Sequence, residues 1–535
     1  MAKAEGTMHF CERLLGTLPN GERASSLDPR TLVHRQRSLS CGTYSTPGVI
    51  ARQVSRDLLT AIRSNGKRTA DIADLSLEAG HFALSSLAEN TSLRVRFFGM
   101  DRDAVALQLA QWIIKYAKRE SGDRAFEFCT SQQDSILDPL PRRWPQVFDA
   151  IVGNPPWKTR HATDAQHYRT AFGEHLFGSF DVYLAFILQA HKYLKPRGFM
   201  AMVLPSQFLF NQNAEPVREL LLSQYNFLRL DVYPRRSFVE LPSVAPVAFL
   251  AQKRDAQARH GRTRVSYGQA DIGHSERPRS RTSKIAELWS KLPGNAIHPL
   301  VQRDNIFLAH INTAKSLADL GNFSCGARLG NQTASPQSFV GFHGRHIKPF
   351  CACRRHAIRY RSDQIVFDRL PRIEYASRSK ILFQDVRCMT LATRLIAAQV
   401  GKGMMAVSSA SMFIPHDVGH VNALEALLNS QFANAWYKLR DTSRSIKLSI
   451  LEKFPIVPDA ARWNNLAKIG RDITRIRAAQ QCGHAGNVTN CYSSAQTSEE
   501  LADFEALLNS EIFSMYGLTA RQRIATAKLS TARVF

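Results

Sequence analysis

The chain has 535 residues, 70 of them Lys or Arg against 45 Asp or Glu, for a formal net charge of +25 at pH 7. That length predicts two or three domains rather than one. The positive excess, most of it arginine, favours a polyanionic partner, nucleic acid foremost, and says nothing of the fold. Met1 to Asn20 holds no continuous apolar core, so no signal peptide is expected. No run approaches the ~20 apolar residues that cross a bilayer. The nine cysteines are scattered and odd in number, which argues against a disulfide framework and for a reducing, cytoplasmic compartment.

In chain order, residues 1–40 read as a polar N-terminal extension. A β/α alternation then runs through residues 41–255. Val49 to Ile62 is an amphipathic helix, and Thr69 to Leu77 a strand entering a turn at Glu78-Ala79-Gly80. Phe82 to Leu93 is helical, Leu93 to Met100 a strand, Asp103 to Tyr116 a helix, and Phe126 to Ser131 a strand leading to Asp134. Phe148 to Val152 is a buried strand. Val182 to Leu194 is a helix closed by Lys195-Pro196-Arg197-Gly198, and Phe199 to Leu204 another strand. Asn226 to Tyr233 and Ala245 to Ala251 complete the set. Strands alternating with helices of this length predict an α/β, mostly parallel, doubly wound sheet. Ligands of such sheets bind outside the carboxyl ends of the strands.

Residues 256–299, rich in Arg, Ser and His, read as a linker. Residues 300–480 read as a separate mixed α/β domain, with a helix over Val421 to Leu439. Residues 481–535 read as a basic helical tail that includes an amphipathic helix at Ser498 to Leu508. Cys351-Ala352-Cys353 with His356 is the one tight thiol cluster. It lacks a second pair at zinc spacing and is read as structural, so no metal is expected.

Chemistry collects at the strand ends of the first half. Asp74, Ser76, Ala79, Gly80, His81 and Phe82 lie in a strand–turn–helix, where a glycine permits positive φ and close approach of a ligand to backbone. Asp101 ends the next strand, well placed for ribose hydroxyls, and Asp134 follows the third. The fourth strand runs into Asn154-Pro155-Pro156-Trp157. The Asn oxygen can accept from an exocyclic amine, the prolines stiffen the loop, and the indole offers a face to an unpaired base.

In these segments the chain resembles the class I, S-adenosylmethionine-dependent DNA adenine-N6 methyltransferases whose cofactor region comes first, catalytic loop second and target-recognition domain last. The resemblance covers about Gly42 to Lys253 well and Leu300 to Pro458 loosely. It implies a Rossmann-like methyltransferase domain followed by a mixed α/β target-recognition domain. It implies S-adenosyl-L-methionine as cofactor, double-stranded DNA as partner, and restriction or phage-defence subunits as further partners. Tyr44, Thr46 and Pro47 match the element that packs over the cofactor's methionine end. Asp74 to Phe82 match the cofactor loop, Asp101 the ribose acid and Asp134 the adenine-contacting acid. Asn154, Pro155, Pro156 and Trp157 match the catalytic tetrapeptide, and Phe238 is placed like the second aromatic beside an extruded base. The usual loop begins Asp-Pro-Ala-Cys-Gly-x-Gly, whereas Leu75, Leu77 and Glu78 stand here in place of Pro, Cys and the first Gly. Two other readings stand beside this one. One is a non-catalytic DNA-binding subunit with a decayed cofactor pocket. The other is a methyltransferase acting on RNA or on a protein glutamine.

Overall fold

A computed structural model of the chain describes residues 45–532, apart from 91, 158–161, 239–243, 256–260, 268–278, 335–338, 354–357, 361–365, 370–372, 387–390, 442–444 and 483–493. The chain divides into two compact units, between Pro299 and Leu300.

In the first unit, helix α1 (Gly48–Ser64) buries Ile50, Val54, Leu58 and Ile62, one apolar residue per turn. Strands β1 (Thr69–Asp74), β2 (Arg94–Asp101), β3 (Phe126–Gln132) and β4 (Phe148–Gly153) alternate with helices α2 (His81–Glu89) and α3 (Ala104–Ser121). Helix α4 (Ala162–Phe172) follows, then α5 (Tyr183–Tyr193), β5 (Leu194–Pro205), α6 (Glu215–Gln224), β6 (Tyr225–Val232) and β7 (Pro246–Lys253). Two further strands, β8 (Thr263–Tyr267) and β9 (Arg279–Ser283), close the unit's sheet. The nine strands lie in the order β3-β2-β1-β4-β5-β7-β6-β8-β9. β1 to β5 are mutually parallel, while β7 runs antiparallel to both β5 and β6. All six residues of β4 are buried, as a strand covered on both faces must be. The order reverses beside β1 and β4, which makes their carboxyl ends the switch point of a Rossmann-like doubly wound sheet.

Four local expectations are corrected. The helix expected to reach Leu93 ends at Glu89, because Asn90 is extended and its side chain bonds the Leu93 backbone instead. Lys195-Pro196-Arg197-Gly198 is not a separate turn but an irregular start to β5, with Arg197 at φ 60° and a register shift against β4. Within the segment read as a linker, β8 and β9 extend the sheet from its β6 edge. In the second unit, the single helix expected over Val421 to Leu439 is two, α7 (Val421–Asn429) and α8 (Gln431–Lys438). Ser430 divides them because it is extended (ψ 160°) and its hydroxyl caps α8 by accepting from the Ala433 N–H.

The second unit carries a four-stranded antiparallel sheet of β10 (Gly321–Cys325), β11 (Lys380–Gln384), β12 (Ala397–Val400) and β13 (Ala410–Pro415), in the order β10-β13-β11-β12. Leu382, Ala398, Met412 and Ile414 belong to its core. Three later helices complete the unit: α9 (Ala460–Cys482), α10 (Ser494–Met515) and α11 (Ala520–Thr531). The tail expected as a basic extension is thus built into the unit. Tyr516 stacks on Phe432 of α8 with centroids 3.9 Å apart. The Lys438 ammonium donates to the carbonyls of Leu529, Ser530 and Ala532 at the end of α11. Among the described residues no helix is long and apolar enough to cross a membrane, and no group of His, Cys, Asp or Glu is arranged to hold a metal ion.

Candidate active site

Because β1 to β4 are parallel and adjacent, their carboxyl ends lie in a row. Asp134 follows β3, Asp101 ends β2, Asp74 ends β1 and Asn154 follows β4. Gly153, just before Asn154, lets the end of β4 lie close to Asp74. A Cβ at that position would lie 3.0 Å from Asp74 Oδ1 and 3.4 Å from Ser76 Oγ, so a side chain there would push the acid and the loop apart.

The loop between β1 and α2 is pegged from below by Leu75 and Leu77, both about 3% exposed or less. Leu77 fills the space over Gly99, where a Cβ would fall 2.5 Å from its Cδ2. The Leu77 N–H donates to the Met100 carbonyl (2.9 Å), and the Ser135 hydroxyl donates to the Leu75 carbonyl (2.5 Å). Apolar packing therefore fixes this turn. Gly80 takes φ 79° and leads into α2, with Ala110 close beneath it. Glu78, where the usual pattern has glycine, also takes a left-handed φ of 52°. Its N–H donates to Asp101 Oδ2 (2.8 Å), while Oδ1 of Asp101 accepts from the Asp103 N–H (2.9 Å).

Electrostatics follow from burial. Asp74 is 1% exposed, and its Oδ1 accepts the Ser76 N–H at 3.0 Å. Burial, against that hydrogen bond and with Asp101 and Glu78 nearby, pushes its carboxyl up to about 8. Burial likewise holds Asp101 above the usual carboxylate range, against the two N–H donors it accepts from. A cation bound beside these acids would restore the countercharge that burial removes.

Other expected site residues fall as follows. Thr46 is buried, and Pro47 caps α1 with its carbonyl. Tyr44 lies outside the described residues. Ala79 is half-buried, and His81 opens α2. Phe82 is 3% exposed and packs in the core cluster. Asp134 Oδ1 accepts the Ile136 and Leu137 N–H groups, and Oδ2 lies 3.5 Å from Arg102. Pro155 is buried and Pro156 half-buried.

Trp157 differs most from expectation. It is 3% exposed, packs against the fully buried Phe238 (centroids 5.0 Å, 55° between planes), and donates its indole N–H to Asn154 Oδ1 at 2.9 Å. The two aromatics and the asparagine do meet, but the indole is a packed ring rather than an open platform. The sequence reading missed Gly99 and Gly153, whose missing side chains admit Leu77 and Asp74. Glycine at the end of a buried strand was the available signal.

The row of acids at the switch point of a Rossmann-like sheet, followed by Asn-Pro-Pro-Trp, falls within the part of the chain that matches a known family. Residues 70–238 match the Eco57I restriction-modification methylase family. The chain is 21% identical over 253 residues to the Type II methyltransferase M.XhoI of Xanthomonas vasicola, covering 45% of each protein. It is 24% identical over 203 residues to the Type II methyltransferase M.BanIII of Aneurinibacillus aneurinilyticus, covering 35% of this chain and 34% of that one. The matched region thus spans less than half the length of these relatives. In fold, the chain is similar to the Type IIL restriction-modification enzyme MmeI in complex with DNA, with a TM-score of 0.61 at 13% identity, over 89% of this chain and 74% of that one.

S-adenosyl-L-methionine is the cofactor that these matches imply, and the residues present suit it. Asp74 is a buried acid and Asp101 a half-buried one beside a glycine-bearing turn. Each Asp101 oxygen accepts one N–H and keeps a second lone pair for a hydroxyl.

Proposed function

We propose that this protein methylates the N6 amine of adenine in double-stranded DNA, on a base swung out of the helix, as the modification component of a cytoplasmic restriction or phage-defence system. The observation that carries the reading is the close approach of Gly153, the residue before Asn154, to Asp74, which sets the Asn-Pro-Pro-Trp loop and a buried acid at neighbouring strand ends of the switch point. The high positive charge of the chain supports a DNA partner.

When bound, S-adenosyl-L-methionine supplies a methyl group on a positively charged sulfur. The chain's residues then do three things. Asp74, Asp101 and the turn at Gly80 hold the cofactor at the strand ends. Asn154 Oδ1 and the Pro155 carbonyl accept the two N6 hydrogens, which draws the amine lone pair away from the ring. The stiff Pro155-Pro156 backbone keeps both acceptors in place, so the gain comes from positioning and oriented dipoles. The amine proton leaves to solvent after transfer, and no strong base is needed. Swinging the base out costs about a few kcal/mol, which contacts to the protein must offset.

Sequencing DNA from an expressing host for N6-methyladenine tests activity and target together. Asn154→Ala should lower methylation at least about a thousandfold while calorimetry shows unchanged cofactor binding. Methylation of cytosine, or full activity in Asn154→Ala, would defeat the proposal. A wild-type protein that binds DNA but gives no heat with S-adenosyl-L-methionine would point instead to a non-catalytic DNA-binding subunit.

A further inference from the structure

We infer that the amino-end rim of the first unit's sheet is a second DNA-binding surface, where Arg68, Arg94 and Arg124 hold duplex by its phosphates without reading sequence. The inference extends the DNA partner of the proposed function and rests on it, while using none of the residues at the carboxyl-end site.

The row follows from strand register. β3, β2 and β1 are neighbours and run parallel, so their amino ends share one rim. Thr69 of β1 stands opposite Arg94, the first residue of β2, and Phe126 of β3 stands opposite Val95. Arg68 and Arg124 therefore flank Arg94, each one residue below its level. With neighbouring strands about 4.8 Å apart, the three Cα atoms form a row roughly 10 Å long. Arg197, at the irregular start of β5, continues the rim two strands further on. All four arginines are exposed. β1 runs six residues from Thr69 to Asp74, about 20 Å at the rise of a strand. The rim is thus at the opposite end of the sheet from Asp74, and DNA held there is a separate segment from DNA at the carboxyl ends.

The fold does not use these charges. Among the described residues, the side chains of Arg68, Arg94 and Arg124 have no ion-pair or hydrogen-bond partner. Acids of the rim are engaged with other cations or with backbone. Asp71 pairs with Arg96 (2.7 Å), which Glu127 also faces across the register, and Asp149 pairs with Lys67 and Lys195. Asp123 accepts the Ala125 N–H. A helix dipole accounts for Lys118 and Arg119 in the last turn of α3, but its effect fades within that turn, and the three arginines lie beyond the helix ends. What remains is a row of free guanidiniums, which match phosphate oxygens two at a time. Duplex carries one charge per about 1.7 Å of axis, so a 10 Å row faces about six of them. A protein partner fits less well, because its interface needs an apolar centre. Here Leu93 and Phe126 are buried, Thr69, Ser92 and Gly122 are the exposed neighbours, and Val147 is an isolated exposed apolar side chain.

The test uses the full-length protein and a short random-sequence duplex. Arg68→Gln/Arg94→Gln/Arg124→Gln should keep the wild-type melting temperature and the kcat for a short target-bearing duplex, while binding random duplex more weakly. The slope of log affinity against log salt should fall by about 0.9 for each arginine that neutralises a phosphate, so by up to about 2.7. Position is read separately. p-Benzoylphenylalanine at 94 should cross-link to the duplex on irradiation. An unchanged slope, or a probe at 94 that labels a co-expressed protein and leaves DNA unlabelled, would overturn the inference. A wild type that binds no duplex at all would remove the DNA partner and both readings with it, whereas normal binding with an unaltered slope in the triple variant removes this one alone.

Discussion

Charged groups at the strand ends of the first unit are arranged differently from the buried cations of the second. In the first, Asp74 accepts from a backbone N–H of its own loop, and Asp101 from one in its own loop and one in the neighbouring loop. In the second, the buried cations lie inside the packing and donate to backbone carbonyls or to a carboxylate. Lys438 is fully buried and serves the carbonyls of Ala392, Leu529, Ser530 and Ala532. Arg440 donates to the carbonyls of Trp436, Leu308 and Ala309 and lies 3.8 Å over the Trp436 ring. Arg394 pairs with Asp441 at 3.0 Å, both groups being almost wholly buried. Acids left beside an open strand end suit a ligand, whereas cations surrounded by carbonyls hold chain segments together. A basic composition therefore does not make every arginine a DNA contact.

Lys438→Met should show the largest effect on stability. Four carbonyls would lose a charged donor, and the end of α11 would lose its anchor to α8. A loss of about 3 kcal/mol or more is expected in denaturant unfolding of the second unit, with cofactor binding by the first unit kept. An unchanged midpoint together with weaker DNA binding would instead make Lys438 a phosphate contact.

Arg440→Gln comes next. By charge alone Arg440, like Arg354, Arg355, Arg359 and Arg361, is a candidate for contacting DNA. Its burial pulls the guanidinium down to about 9. The variant should lose about 2 kcal/mol of stability and leave the salt dependence of DNA binding unchanged. A phosphate contact would instead reduce that slope by about 0.9 per arginine lost. The other four arginines lie outside the described residues or have side chains that do.

The acids of the first unit make cofactor affinity depend on pH. Asp74 is neutral in the folded protein below about 8 and ionised in the unfolded chain above its ordinary value. Folding stability without cofactor therefore falls as pH rises between those two values, since the unfolded chain releases the proton first. A cation binds the ionised form, so affinity for S-adenosyl-L-methionine should rise with pH toward 8, by up to about tenfold per unit. The α-amino group of the cofactor titrates in the same range, at about 7.7–8.0. The informative quantity is thus the difference between wild type and Asp74→Asn, and parallel profiles for the two would remove Asp74 from the site.

Much of this was legible in the chain because the relevant signals are local. Buried strands ending in Asp101 or in Gly153-Asn154-Pro155-Pro156 announce both their own limits and the side of the sheet that carries chemistry. Less legible were features decided by packing at a distance. β9, the edge strand, and β8 beside it are short, polar-rich strands whose period is masked by their arginines. Arg440 reads as exposed from its charge, and only Trp436, four residues earlier, hints at the ring that covers it. Ser430 did carry a readable signal, since a serine just before a helical run is a common cap, but the apolar period continues across it and hides the break. Trp157 is the most instructive case. An indole serves both as a stacking face and as a donor, and its packing against Phe238, 81 residues along the chain, is not a local signal.

The smallest expected effect tests how far Glu78 shapes the acidic site. Its φ of 52° is a conformation that glycine adopts without strain and other residues enter at a cost of about 1–2 kcal/mol. Glu78→Gly should relieve that strain, while the added freedom of glycine in the unfolded chain takes back about 0.4–1 kcal/mol. The net change is a gain of about 1 kcal/mol or less, visible as a melting temperature raised by a few degrees or fewer. Electrostatics move further than stability does. The Glu78 carboxylate is one of the charges that raise the Asp74 carboxyl, so its removal should shift the pH dependence of cofactor binding to lower pH and leave its shape intact. Glu78→Gln removes the charge and keeps the strained backbone, so it should reproduce the pH shift without the gain in stability. If Glu78→Gly instead abolished cofactor binding that Glu78→Gln retained, the side chain rather than the charge would be holding the turn, and the pegs at Leu75 and Leu77 would not be enough to keep Asp74 and Asp101 in place.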